Sequence, residues 1–227
     1  MYKKKNIEFG FLIILGMLSS LSLPPFNYLV INFFTFSLFF LFLIKKSALH
    51  NNTKSYFFYG WFFGFGYFIT NLYWISISLT FDESFKFLIP ITIFLIPAFL
   101  SIFYGLISYF FIIFKSKKLI SSFFTFVLCF SILEFVRGSI FTGFPWNLIA
   151  YSFSSQLEIL SITTIIGTYG FNLFCISLFT SPALFILMKN KINISIPIFF
   201  IISLVLFYNY GTIYKKKFNT SVQKTYE

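Results

Sequence analysis

The chain alternates long apolar runs with short polar or basic stretches. Seven runs approach or exceed the roughly 17–25 residues that a helix needs to cross a bilayer. They are Ile7–Leu23, Leu29–Ile44, Tyr56–Leu79, Phe87–Phe114, Leu119–Phe135, Ile159–Leu187 and Ile192–Tyr208. The pattern therefore predicts an all-α membrane protein, a bundle of about seven transmembrane helices.

The fourth and sixth runs are longer than the hydrocarbon core requires, so they are expected to tilt, bend or protrude. Pro90 and Pro97 offer one place for a bend in the fourth run. The first run follows a basic start and could be a signal peptide. It has no small-x-small cleavage site before Pro24, and further spans follow, so we expect an uncleaved first span.

The lysines predict the orientation. With the N-terminus inside, the inner loops carry Lys3, Lys4, Lys5, Lys45, Lys46, Lys54, Lys115, Lys117, Lys118, Lys189 and Lys191. The outer loops carry only Lys86 and Arg137 as cations, so the positive-inside rule places the N-terminus in the cytoplasm and the C-terminus in the periplasm. The chain then divides into a membrane domain over residues 1–210 and a basic polar tail over residues 211–227, interpreted as a truncated linker.

Composition supports the membrane class. Apolar residues make up 58% of the chain, charged residues only 10%, and the mean hydropathy is +0.88. Soluble domains carry about 25% charged residues, so a soluble enzyme, a disordered protein and a disulfide scaffold are all disfavoured. The net charge of +11 comes from short clusters between apolar runs, which indicates membrane topology and no nucleic-acid partner.

Few residues suggest cofactor chemistry. Cys129 and Cys175 lie inside apolar runs and His50 is the single histidine, so we expect no metal site and no cofactor. The phenylalanine-rich stretch at residues 33–42 is expected to face lipid.

The stretch from Glu134 to Glu158 is the most informative. Glu134 and Arg137 are spaced i, i+3 and can pair on one helical face. One interpretation is a salt bridge that lowers the cost of charges at a span end. The alternative is an arginine presented to an anionic lipid phosphate, which suits guanidinium geometry.

The following segment cannot be regular helix throughout. Pro145 lacks a backbone donor and restrains its predecessor, while Gly143 permits a tight bend. Trp146 suits the membrane–water interface. An ordered, partly re-entrant loop at the outer face is predicted, either facing substrate or serving as an interfacial anchor.

These residues resemble a known family. The segment Glu134–Gly138 followed by Thr142–Trp146 is similar to apolipoprotein N-acyltransferase of bacteria. Weaker matches occur in the same order at Ser22–Phe26, Gly60–Tyr67, Tyr73–Ile77, Leu100–Gly105 and Gly167–Asn172. The resemblance covers about Gly10 to Tyr208.

The resemblance implies a bundle of about seven spans in the bacterial inner membrane, followed by a periplasmic nitrilase-like hydrolase domain. It implies transfer of an acyl chain from phospholipid to the N-terminal diacylglyceryl-cysteine of lipoproteins through a Glu-Lys-Cys centre. It also places Trp74, Glu134, Arg137, Thr142, Pro145 and Trp146 near the lipid entrance.

The chain departs from the family in one respect. The residues after Gly211 are too few for a hydrolase domain, and neither cysteine matches the catalytic one. No catalytic residue is carried over, so we expect the chain to be inactive alone, with a separate hydrolase chain supplying catalysis or with that domain lost. The alternatives are a non-catalytic lipid-binding or scaffold protein and, ranked last, a small transporter.

Overall fold

The computed structural model describes residues 2–48, 52–140, 143, 145–187 and 191–226. Within these ranges the chain forms helices and no strand, which confirms the all-α class. The α-helices are α1 (Tyr2–Ser20), α2 (Val30–Ser47), α3 (Thr53–Asn71), α4 (Ile75–Ser78), α5 (Ile89–Phe114), α6 (Leu119–Ser139), α7 (Leu157–Leu160), α8 (Thr163–Thr180), α9 (Pro182–Leu187) and α10 (Lys191–Tyr226). Two 3₁₀ helices cover Glu83–Leu88 and Ile149–Phe153.

Five helical stretches are long and apolar enough to cross a membrane. They are Val30–Ser47, Glu83–Phe114, Leu119–Ser139, Thr163–Leu187 and Ile194–Phe218. The protein is therefore a membrane protein. Helices α1 and α3 lie outside this set, so the predicted count of seven spans stays a prediction.

The predicted third and sixth runs are interrupted. The third ends as α3 at Asn71, and a turn separates it from the short α4. The sixth divides into α7, α8 and α9, and Gly167 inside α8 has a φ of 71°, which places a kink there. Hydropathy alone cannot locate such breaks, because the residues on both sides of them are equally apolar.

Helix α10 is longer than its apolar run. It contains 36 residues and continues past Tyr208 through the basic segment to Tyr226. At about 1.5 Å per residue such a helix exceeds the roughly 30 Å hydrocarbon core, so part of it extends beyond the membrane. The helix crosses residue 210 without a break. The division into a membrane domain over residues 1–210 and a tail over residues 211–227 stays a prediction.

Glycines allow α1 and α5 to pack closely on either side of α3. A Cβ added at Gly66 of α3 would collide with the backbone oxygen of Ile13 in α1. A Cβ added at Gly60 would collide with the backbone oxygen of Tyr104 in α5. Small residues at helix contacts are a common means of membrane helix packing, because they let two backbones approach.

The core is largely aromatic. Phe36, Phe39 and Phe40 of α2 are fully buried, and Phe39 stacks on Phe63 with ring centroids 4.2 Å apart. The expectation that residues 33–42 face lipid is therefore wrong for these three rings, although Phe34 is exposed. The composition could not separate the two faces of α2, since both are apolar.

The two ends of the bundle differ in chemistry. One end, called the loop end here, is formed by residues 21–29, 72–88 and 145–162. Contacts across the loop end include a hydrogen bond of 3.3 Å between Ser154 and Asn27. At the opposite end Lys46 pairs with Glu8 at 2.5 Å. The side of the membrane on which each end lies stays a prediction.

Candidate functional site

Glu134 and Arg137 form a buried ion pair near the loop end of α6. Arg137 Nη2 lies 2.6 Å from Glu134 Oε2, and the two side chains are 0% and 1% exposed. A buried charge is costly unless it is paired, and the i, i+3 spacing lets each side chain neutralise the other on one face of α6. The salt bridge is therefore present, whereas contact of Arg137 with a lipid phosphate stays a prediction.

Arg137 also stabilises the loop that contains Trp146. Its Nη1 donates to the backbone oxygen of Trp146 at 3.1 Å, and its guanidinium lies over the Phe68 ring, 5.4 Å from the centroid. The Tyr67 hydroxyl of α3 donates to the backbone oxygen of Asn147 at 2.8 Å. The backbone oxygens of Trp146 and Asn147 thus accept hydrogen bonds from side chains of α6 and α3.

This support fixes a paired tryptophan site at the surface. Trp146 stacks on Trp74, which immediately precedes α4, with centroids 5.3 Å apart and planes at 25°. Both rings remain partly exposed, Trp74 at 43% and Trp146 at 48%. An exposed aromatic pair at the end of a membrane bundle is suited to the interface with lipid headgroups.

The remaining predicted site residues are less defined. Pro145 is half-buried beside Trp146. Gly143 has a φ of 80° and its amide donates to the oxygen of Ile140, so the predicted tight bend is present. Thr142 lies outside the described residues.

A cavity of about 670 Å³ opens beside the tryptophan pair, called the loop-end cavity here. Its polar lining consists of Ser20, Thr70, Asn71, Asn147, Tyr151 and Ser154. Its apolar lining consists of Leu23, Pro24, Pro25, Phe26, Tyr73, Trp74 and Trp146. A volume of this size, with apolar walls and a few polar groups, is typical of a small-molecule site.

The structure brings only part of the predicted site to this cavity. Trp74 and Trp146 line it, while Glu134 and Arg137 lie buried beneath the loop. Sequence reasoning missed Asn71 and Asn147, which come from the end of α3 and from the loop. Asn147 has a φ of 58°, and asparagine is among the few residues that tolerate this conformation.

A second buried polar network, also missed, anchors the 3₁₀ helix that follows the loop. Asn32 of α2 is fully buried; its Nδ2 donates to Ser22 at 2.7 Å and to Ser152 at 3.0 Å. The Ser19 hydroxyl donates to Asn32 Oδ1 at 2.8 Å. The sequence carried one signal of this network, the single asparagine within the apolar helix α2. A buried carboxamide requires hydrogen-bond partners, so its presence indicates other polar groups nearby.

The cysteines lie away from the cavity. Cys175 is fully buried in α8, and Cys129 is half-buried on α6. Among the described residues no group of three or more potential metal ligands occurs, and His50 lies outside them. The expectations about metal and cofactors stay predictions.

Helix α10 contacts the loop end through α7. Gly211 packs against the backbone of Glu158, and Lys215 Nζ lies 2.7 Å from the Glu158 carboxylate. The hydrogen bond from Lys215 lowers the pKa of Glu158 below its ordinary value. The basic segment beyond Tyr208 is therefore attached to α7 at the loop end.

Comparison with known proteins assigns the family. The family model described as the apolipoprotein N-acyltransferase N-terminal domain matches residues 15–181. An apolipoprotein N-acyltransferase of Rhodopseudomonas palustris is 34% identical over 175 residues, which cover 75% of this chain and 32% of that protein. The protein of the same name from Rickettsia typhi is 35% identical over 185 residues, covering 80% of this chain and 34% of that protein.

The matched residues span about a third of the length of these curated relatives. They include the buried Glu134–Arg137 pair, Trp146 and most of the bundle described above. The resemblance that the sequence motifs indicated is confirmed: the chain belongs to the apolipoprotein N-acyltransferase N-terminal domain family.

Proposed function

We propose that this chain is the membrane part of a bacterial apolipoprotein N-acyltransferase of the inner membrane. In this proposal the enzyme transfers an acyl chain from a phospholipid to the N-terminal diacylglyceryl-cysteine of lipoproteins. The partners are phospholipid, lipoprotein substrates and a nitrilase-like hydrolase domain, supplied by a separate chain or by a continuation of this one. The observation that carries the proposal is the family match over residues 15–181.

The geometry supports a role in holding lipid. The loop-end cavity lies beside an exposed aromatic pair at one end of an apolar bundle, where lipid headgroups meet the protein. The buried pair beneath the loop gives this surface a fixed shape without exposing a charge. A preformed site of this kind positions a substrate at low entropic cost for chemistry performed by another domain.

A second candidate is a lipid-binding or scaffold protein without catalysis. It is favoured by the loop-end cavity, which holds a lipid in either candidate and requires no hydrolase domain to do so. The two thiols agree with both candidates, because Cys175 is fully buried and Cys129 does not line the cavity. Neither thiol is placed to act as a nucleophile on a lipid held there. The two candidates differ in whether a hydrolase domain accompanies the bundle.

Purification of the protein from its own membranes in mild detergent, followed by intact mass spectrometry, tests the proposal. We expect the chain together with a nitrilase-like hydrolase, either as a second chain or within one longer polypeptide. Recovery of the 26.7 kDa chain with lipid alone would contradict the acyltransferase proposal and favour the lipid-binding candidate.

A further inference from the structure

We propose that the loop-end cavity binds the uncharged glycerol-ester region of a membrane lipid, with any phosphate remaining outside. This inference deepens the proposed function, because it names the part of the lipid that the membrane domain holds. It rests on three features of the cavity: its position at the loop end, its lack of charge and its carboxamide groups.

The cavity lies at the loop end of the bundle, and we take this end to lie at the ester region of a bilayer. Ser20 is the last residue of α1, and Thr70 lies one residue before the end of α3, so the cavity begins where two helices end. Trp74 and Trp146 at its rim are of the residue type enriched at membrane interfaces. Glycerol esters lie at this boundary between the hydrocarbon core and the headgroups.

The charge of the cavity excludes a buried phosphate. None of the described residues that line it is charged. Arg137 does not compensate for this, because it is 1% exposed and already paired with Glu134. Placing a phosphate there would bury an unpaired anion, which is strongly unfavourable. The enclosed part of an occupant must therefore be neutral.

The polar groups distinguish an ester from a plain hydrocarbon. The carboxamides of Asn71 and Asn147 both line the cavity. The Nδ2 atom of Asn147 is buried and has no hydrogen-bond partner among the described residues. A buried donor without an acceptor costs free energy, and an ester carbonyl that enters the cavity would remove that cost. An acyl chain alone would leave the Asn147 Nδ2 donor unsatisfied.

Tryptophan fluorescence provides the assay. The chain has three tryptophans, and Trp61→Phe leaves only the two at the cavity rim. Phosphatidylcholine brominated on its acyl chains is titrated into detergent-solubilised protein, and we expect saturable quenching. Unlabelled competitors are dioleoylphosphatidylcholine, its diether analogue without carbonyls, dioleoylglycerol and dioleoylphosphatidate.

The diester is expected to compete about two- to tenfold better than the diether, the ratio that one lost hydrogen bond produces. Equal competition by dioleoylglycerol and dioleoylphosphatidylcholine would support a site that binds the ester region and makes no contact with the headgroup. Absence of saturable quenching by the brominated phosphatidylcholine would overturn the proposal for a phospholipid occupant. Equal competition by ester and ether would overturn the proposal. So would a preference for phosphatidate, since it would place the phosphate in the site.

Two variants locate the binding. Thr70→Phe narrows the cavity and should abolish the saturable quenching, whereas Thr92→Phe, a half-buried threonine of α5 outside the cavity lining, should retain it. Asn147→Gly removes the unpartnered donor, and glycine tolerates the φ of 58° at this position, so the variant should lose the preference for ester over ether. Asn209→Gly on the exposed face of α10 is its control. Equal quenching in Thr70→Phe and Thr92→Phe would show contact with the micelle only. Because no acyl transfer is measured, failure here is distinguishable from failure of the proposed function.

Discussion

Arg137 of α6 donates to the backbone oxygen of Trp146 across 3.1 Å while its other terminal nitrogen binds Glu134. One buried guanidinium thus connects the carboxylate that neutralises it with the loop that carries an exposed indole. The consequence is that the charge of Arg137 acts on the shape of the loop-end surface and not directly on a ligand in the cavity.

Loss of Arg137 should therefore be a stability defect. Arg137→Met leaves the Glu134 carboxylate buried without its partner, for which we expect a loss of about 3–5 kcal/mol in the free energy of unfolding. Thermal unfolding in detergent measures it. The double variant Glu134→Leu with Arg137→Met should recover most of the loss, because no unpaired charge remains. An unchanged melting temperature with reduced binding of anionic phospholipid would support the phosphate interpretation instead.

The hydroxyl of Tyr67 should keep Trp146 stacked on Trp74 while contributing little to global stability. Tyr67→Phe removes the donor to Asn147, for which we expect a cost of about 1 kcal/mol. In a Trp61→Phe background, the near-ultraviolet circular dichroism of the stacked Trp74 and Trp146 should weaken.

Tyr109→Phe serves as the matched control for Tyr67→Phe. Tyr109 lies with Lys54 near the opposite end of the bundle, so its loss should leave the tryptophan signal unchanged. Equal spectra for the two tyrosine variants would mean that Tyr67 does not hold the loop.

The close contact of α1 with α3 should be intolerant of a single methyl group. Gly66→Ala places a Cβ against the Ile13 backbone, and overpacking of this kind costs about 1–3 kcal/mol. Gly10→Ala in α1 is the matched control, since a Cβ there meets nothing within 4 Å. Unfolding in detergent should separate the two variants, and similar melting temperatures would argue against the packing described for α1 and α3.

The membrane orientation predicted from the lysines can be tested by labelling. In a background with Cys129 and Cys175 replaced by alanine, Ser84→Cys should react with an impermeant maleimide added outside intact cells with a permeabilised outer membrane. Ser116→Cys should react only after the inner membrane is opened. Labelling of position 116 and not position 84 from outside would reverse the orientation.

Much of the fold was predictable because membrane helices depend on apolar length. The spans represented by α2, α5 and α6 follow their apolar runs closely, and α5 continues through Pro97 without ending there. The kink at Gly167 and the continuation of α10 past Tyr208 were not predictable in the same way. A glycine in an apolar run can be either helical or kinked, and a basic segment can extend a helix once it leaves the bilayer.

The candidate site was predictable only in part. The spacing of Glu134 and Arg137 predicted their pairing, because it depends on one helix. The cavity combines the ends of α1 and α3 with the loop at residues 146–154, so its composition depends on tertiary packing. Nothing in the sequence around Asn71 or Asn147 indicates that the two residues lie close together in the fold, which is why they were missed.

The central claim is that this bundle is the membrane part of an N-acylating enzyme, and a chimera tests it most directly. Residues 15–181 would replace the matching segment of the Rhodopseudomonas palustris protein in cells depleted of their own enzyme. We predict that a reporter lipoprotein gains the mass of one acyl chain, as with the intact relative, while a version lacking the segment gives none. A folded, membrane-inserted chimera that leaves the reporter at its unacylated mass would contradict the account.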